Sequence, residues 1–138
     1  MVDKYVIKRR LNHIVEGLKN LKNFLNVSEE EFIDDPRTVS AVKYEVIRTF
    51  EAVSSICHHI VSKEFRVTLT TYRECFEILA KEGVIPHRLG KELSEMAKFR
   101  NMLIHMYQII DDRKLYQEVK SGLAGIEEFI EIIESRYL

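Results

Sequence analysis

The sequence predicts an all-α protein, an up-and-down four-helix bundle with one additional short helix. Three observations predict it. Apolar residues return in steps of three and four along four long segments, the spacing of one helical face. Glycine and proline number only five and two, too few to punctuate a series of strands. The connections between segments are short, which makes sequential helices antiparallel neighbours.

The first helix is expected to start behind Asp3, a good N-cap, with Leu11, Ile14, Leu18, Leu21 and Leu25 as its stripe. Lys8, Arg9, Lys19 and Lys22 fall mostly off that stripe. They read as a solvated basic face, with a nucleic-acid role as the lesser alternative. The chain breaks from Asn26 to Arg37. There Ser28 and Glu31 form a capping box that allows a short turn of helix, and Asp35-Pro36 is a helix start. The second helix runs from about Pro36 to Ser62 on Val39, Val42, Val46, Phe50, Val53, Cys57 and Ile60. At about 1.5 Å per residue it is roughly 40 Å long and forms the spine of the bundle.

Residues 63–70 read as a connector. Thr71 and Glu74 form a capping box that opens a short third helix, with Phe76 and Leu79 inward. Gly83 ends it as a left-handed cap, and Val84 and Ile85 supply the apolar contact that such caps favour. The fourth helix is expected from about Pro86 to Ile110, with Leu93, Met96, Phe99, Leu103, Met106 and Ile110 in the core. Asp111 or Asp112 caps the fifth helix, whose stripe is Leu115, Val119, Leu123, Ile126, Ile130 and Ile133. Gly122 and Gly125 either bend that helix or let another approach closely.

Composition narrows the function. Apolar residues make up 46% of the chain and charged residues 31%, ordinary for a globular protein. A formal charge of −1 argues against coating nucleic acid by bulk electrostatics but leaves room for a local basic groove. Cys57 and Cys75 belong to no CxxC pair and sit among apolar residues, so both are expected to be reduced, buried thiols. Neighbouring His58 and His59 point about 100° apart on a helix and cannot chelate one metal together. No cluster supplies a metal site, and no cofactor is expected. No apolar run approaches the length of a membrane span, roughly 18 residues. Met1-Val2-Asp3-Lys4 opens no signal peptide, so a cytoplasmic location is expected.

Against this background one stretch stands out: Arg100-Asn101-Met102-Leu103-Ile104-His105-Met106-Tyr107. Four polar groups sit in eight residues that otherwise read as buried helix. At about 100° per residue, Arg100 and Tyr107 lie on nearly one line at the edge of the core stripe. Asn101 and His105 pair on the other side. Arg100 and His105 are then roughly 140° apart and do not converge on one target from one straight helix. Either the helix is distorted, or the site is composite, with the same helix of a second subunit facing it across a two-fold axis. Histidine can give or take a proton near neutral pH, and arginine can hold a phosphate bidentately. Asn101 can orient the histidine or contact substrate. These types suit metal-independent attack of an RNA 2′-OH on the adjacent phosphate. The plainer alternative is that Arg100 and Asn101 bond neighbouring helices and His105 is a satisfied, buried histidine.

At these residues the sequence resembles the HepT-like proteins of the HEPN superfamily, whose signature is R-x4-H-x-Y. The resemblance extends to Leu79-Ala80-Lys81-Glu82-Gly83-Val84-Ile85, the Asp111-Asp112 cap, the Glu128-Phe129-Ile130 helix and the N-terminal helix pair. It covers essentially the whole chain and implies one domain over residues 1–138. It also implies a ribonuclease toxin of a toxin–antitoxin pair, active as a homodimer, with Arg100 and His105 catalytic. The implied partner is an MntA-type minimal nucleotidyltransferase that silences the toxin by attaching AMP to Tyr107. The alternative within the same resemblance is a non-catalytic HEPN module that binds such a nucleotidyltransferase.

Overall fold

The structure is a computed structural model; it describes residues 1–68 and 71–138, with Tyr72 described by its backbone alone. The described residues form six helices and no strand. They are α1 (Lys4–Phe24), α2 (Glu29–Ile33), α3 (Pro36–Glu64), α4 (Tyr72–Lys81), α5 (His87–Met106) and α6 (Asp112–Tyr137).

Local chemistry sets most of the boundaries. The Asp3 carboxylate accepts from the backbone N–H of Tyr5 at 2.9 Å and of Val6 at 3.3 Å, relieving two unpaired donors at the start of α1. Asp35 does the same for α3 through Thr38, and Asp111 for α6 through Arg113. Thr71 accepts from the N–H of Glu74 at 3.2 Å. Gly83 takes a φ of 76°, the left-handed conformation that ends α4, and Val84 and Ile85 are buried behind it.

The expectation of one extra short helix undercounts by one. Ser28 and Glu31 complete both halves of their capping box, and Phe32 is fully buried, so α2 stands as a helix of its own. The connector expected over residues 63–70 is also shorter, because Lys63 and Glu64 continue α3; its last two residues, Leu69 and Thr70, lie outside the described residues.

Two apolar clusters show how the long helices run. Leu21 and Leu25 near the end of α1 meet Val39 and Val42 near the start of α3, Phe99 and Leu103 late in α5, and Leu115 and Val119 early in α6. At the opposite end Ile7 and Leu11 meet Ile56 and Ile60, Leu89 and Leu93, and Phe129 and Ile133, with α4 adding Phe76 and Leu79. Start meets end at every step, so the four long helices alternate up and down as expected. Helix α6 is unbroken through both glycines. A Cβ on Gly122 would come 2.9 Å from Met96 Cε, so this glycine serves the close approach of α5. Gly17 plays the same part between α1 and α3, where a Cβ would overlap the Thr49 side chain.

The expectation of reduced thiols is wrong. Cys57 on α3 and Cys75 on α4 form a disulfide with Cα atoms 6.0 Å apart. Helix α4 lies along the second half of α3, and this packing brings two buried positions together. Their separation of 18 residues gives no hint of it.

Candidate active site

The polar stretch occupies the last two turns of α5 and its C-cap. Helix α5 stops at Met106, not at Ile110 as the periodicity predicts. The N–H groups of Ile109 and Ile110 both bond the Met106 carbonyl at 3.1 Å, closing a turn that reverses the chain into the Asp111 cap. Met106 is accordingly 42% exposed and Ile110 only half-buried, which corrects their placement in the core stripe. Phe99 and Leu103 do face the core.

Each predicted site residue has a definite environment. The Arg100 side chain is 13% exposed. Its Nη2 is ion-paired with Glu51 Oε2 on α3, and its Nη1 donates to Asn101 Oδ1 at 3.2 Å. Asn101 and His105 are exposed. Tyr107 is the C-cap residue of α5 and is 52% exposed. Gln108 Nε2 donates to its hydroxyl at 3.4 Å, and Lys43 Nζ on α3 donates to its backbone carbonyl at 2.6 Å. The structure therefore brings Arg100 and Asn101 together. The plainer sequence reading is right that Arg100 bonds a neighbouring helix. It is wrong for Asn101, whose side chain bonds Arg100 on its own helix, and for His105, which is not buried.

Glu51 and Lys43 are the residues that sequence reasoning missed. Because α3 and α5 run antiparallel, Glu51 meets Arg100 while Lys43, about two turns nearer the start of α3, meets Tyr107. Both follow core positions by one residue, Val42 and Phe50. That edge placement was legible; the register that sets them against α5 was not.

The surroundings are apolar and open. Ile104, Met106 and Ile109 are exposed beside Tyr107, an uncovered apolar surface around the polar groups. Among the described residues no three His, Cys, Asp or Glu side chains gather where they could hold a metal ion. No helix among them is long and apolar enough to cross a membrane. Chemically, the end of α5 offers a guanidinium for an anion, an imidazole for proton transfer, and a phenol open to modification.

A helical bundle carrying an arginine, an exposed histidine and an exposed tyrosine at the end of one helix defines a class, and comparison with known proteins names it. A family model described as Ribonuclease HepT-like matches residues 6–133, so the chain belongs to the HepT-like ribonuclease family. Among curated relatives, the tRNA nuclease HepT of Aphanizomenon flos-aquae is 25% identical over 134 residues, covering 97% of this chain and 91% of that protein. The mRNA nuclease HepT of Shewanella oneidensis is 27% identical over 105 residues, covering 76% and 79%. Among solved structures, the tri-AMPylated Shewanella oneidensis HEPN toxin in complex with its MNT antitoxin superposes with a TM-score of 0.87 at 24% identity, covering 99% of this chain and 100% of that one. The Bacillus subtilis cytosolic protein YutE superposes at 0.84 with 19% identity, covering 97% and 90%. At these identities the solved structures speak for the fold.

Proposed function

We propose that this protein is the toxin of a HepT/MntA-type toxin–antitoxin pair, a metal-independent endoribonuclease that acts as a homodimer. The observation that carries the reading is the placement of Arg100, Asn101, His105 and Tyr107 along one helix end. Arg100 binds the scissile phosphate and offsets the charge that builds on it. A histidine takes the proton of the RNA 2′-OH as its oxygen bonds to phosphorus. The 5′-oxygen leaves as it takes a proton from the protonated His105 of the second copy, giving a 2′,3′-cyclic phosphate and a 5′-hydroxyl. Asn101 steadies the arginine through its 3.2 Å hydrogen bond. The angular separation of Arg100 and His105 and the exposed Ile104, Met106 and Ile109 both favour a second copy facing this helix. The resemblance and the named relatives agree in activity, a nuclease, and in partner, an MNT antitoxin.

Silencing follows from the same geometry. The exposed Tyr107 hydroxyl attacks the α-phosphate of ATP on a minimal nucleotidyltransferase, pyrophosphate leaves, and the phenol proton passes to a base. The added AMP puts negative charge and a bulky base beside the catalytic groups, where it repels RNA.

The nuclease is tested by incubating RNA with the purified protein in EDTA. Cleavage leaving a 2′,3′-cyclic phosphate is expected for wild type, with at least a hundredfold loss in Arg100→Ala and His105→Ala. Cleavage by His105→Ala at the wild-type rate contradicts the assignment. Tyr107→Phe should still cleave RNA but escape the antitoxin. AMP found by mass spectrometry on another tyrosine, such as Tyr116 or Tyr72, overturns that part. A second reading, a HEPN module that binds a nucleotidyltransferase without cleaving RNA, is favoured by one observation: the Arg100 guanidinium is already engaged by Glu51. It predicts intact RNA in the same assay.

A further inference from the structure

The chemistry above leaves unused a groove of about 440 Å³ between α1 and α3. Arg9, Arg10 and His13 line it from α1, and Tyr44, Arg48 and Glu51 from α3. Each set follows helical spacing. On α3 the stripe continues to Ser55, three turns of helix beyond Tyr44. Three arginines and the Glu51 carboxylate line it, Glu16 and Glu45 pair with Arg48, and Glu51 is the partner of Arg100. Glu51 thus links the groove to the proposed catalytic arginine.

Its polar groups differ in how free they are. Arg10 Nη1 donates to the Ser55 carbonyl at 3.2 Å. Arg48 is held by Glu45 at 3.2 Å and Glu16 at 3.4 Å, which offsets part of its charge. Arg9 and His13 are exposed, and among the described residues no hydrogen bond or ion pair engages them. Tyr44 is 63% exposed, an aromatic ring uncovered beside the arginines. The free Arg9 guanidinium beside an open aromatic ring makes a site for a phosphate backbone whose bases are unstacked.

We propose that this groove binds single-stranded RNA flanking the scissile phosphate. Arg9 takes a backbone phosphate, Tyr44 stacks on a base, and Glu51 marks where the bound strand passes to Arg100. The proposal rests on the nuclease reading for its biological sense but is tested by binding. It also fits the charge of the whole chain, which is −1 and so requires that any affinity for RNA be concentrated locally. A second copy of this chain is the competing occupant, but the unpaired Arg9 faces its own like charge across a two-fold axis.

The test uses the full chain with His105→Ala to block cleavage. The probe is a fluorescein-labelled, mixed-sequence, single-stranded RNA of about 12 nucleotides, within the length one such binding surface tracks, titrated at several potassium chloride concentrations. Adding Arg9→Ala should weaken binding about tenfold at low salt and reduce the steepness of log K against log salt by about 0.7, one phosphate contact on a single strand. Tyr44→Ala should weaken binding about tenfold without changing that slope, because stacking releases no counterion. Arg73→Ala, a like change of charge on α4 away from the groove, should alter neither. Binding by Arg9→Ala and Tyr44→Ala no weaker than by Arg73→Ala overturns the proposal. So does a drop in molar mass by light scattering for either groove variant, which would make the groove an interface between copies. Failure of the nuclease reading looks different: wild type leaves RNA intact in EDTA while binding still depends on Arg9 and Tyr44.

Discussion

Glu51 of α3 holds the guanidinium of Arg100 on α5, and the same face of α3 holds the carbonyl of Tyr107 through Lys43. The spine helix of the bundle thus grips both ends of the polar stretch. Arg100 is mostly buried while Glu51 is half exposed, so the pair fixes the arginine more than it stabilises the fold. Its worth to stability is about 1 kcal/mol or less. An incoming phosphate must compete with this carboxylate. Glu51→Gln in the His105→Ala background should therefore bind RNA severalfold more tightly, with little change in melting temperature. Equal or weaker binding contradicts the competition.

The second prediction concerns acid. Burial pushes the His58 imidazole below its ordinary 6.5, against a smaller opposing pull from the Glu51 charge. Burial also lowers His59, helped by the nearby Arg10 charge. His59 Nε2 accepts the backbone N–H of Asp3 at 2.9 Å, which requires the neutral ring. In both cases the folded-state value lies below the unfolded one. The unfolded chain takes up protons first as pH falls, so this stability is whole above about pH 6.5 and is lost as pH drops through the folded values. Thermal melts should show a lower midpoint at about pH 5.5 than at about pH 7. His59→Gln, which can still accept the Asp3 bond, should flatten the dependence. Equal midpoints for wild type at both pH values rule it out.

The Cys57–Cys75 disulfide ties α4 to α3 across a separation of 18 residues. Closing a loop of that size is worth roughly 3 kcal/mol in the chain-entropy model. Reduction should lower the melting midpoint by about 10 °C. The unreduced protein, denatured and alkylated, should carry no label on either cysteine. Full labelling without reductant contradicts the bond.

Gly17 lets α1 meet α3 at Thr49, a buried, β-branched side chain with little room to turn. Gly17→Ala should destabilise the fold by about 1–3 kcal/mol, read from urea unfolding. Adding Thr49→Ala should restore much of the loss, because the two positions share one contact. Additive losses contradict this account of the helix crossing.

The contrast between what was legible and what was not follows a physical line. Caps at Asp3, Ser28, Asp35 and Thr71 depend on a few neighbouring residues, and each was readable from the sequence; Asp111 was one of two adjacent candidates. The core stripes were readable for the same reason. The end of α5 was not, because Met106 and Ile109 are apolar without being buried; periodicity cannot tell a core from an uncovered face. The Glu51–Arg100 pair and the Cys57–Cys75 bond depend on the register between helices, which no local pattern encodes. The polar stretch itself was legible because its residue types are out of keeping with a helix that only needs to pack.

The most direct measurement is expression of the wild-type chain beside Arg100→Ala and His105→Ala, with growth followed and total RNA analysed from each culture. The account predicts growth arrest and RNA fragments with wild type alone. Intact RNA and normal growth in all three cultures, with the protein shown by mass spectrometry and circular dichroism to be folded and free of AMP, would contradict it.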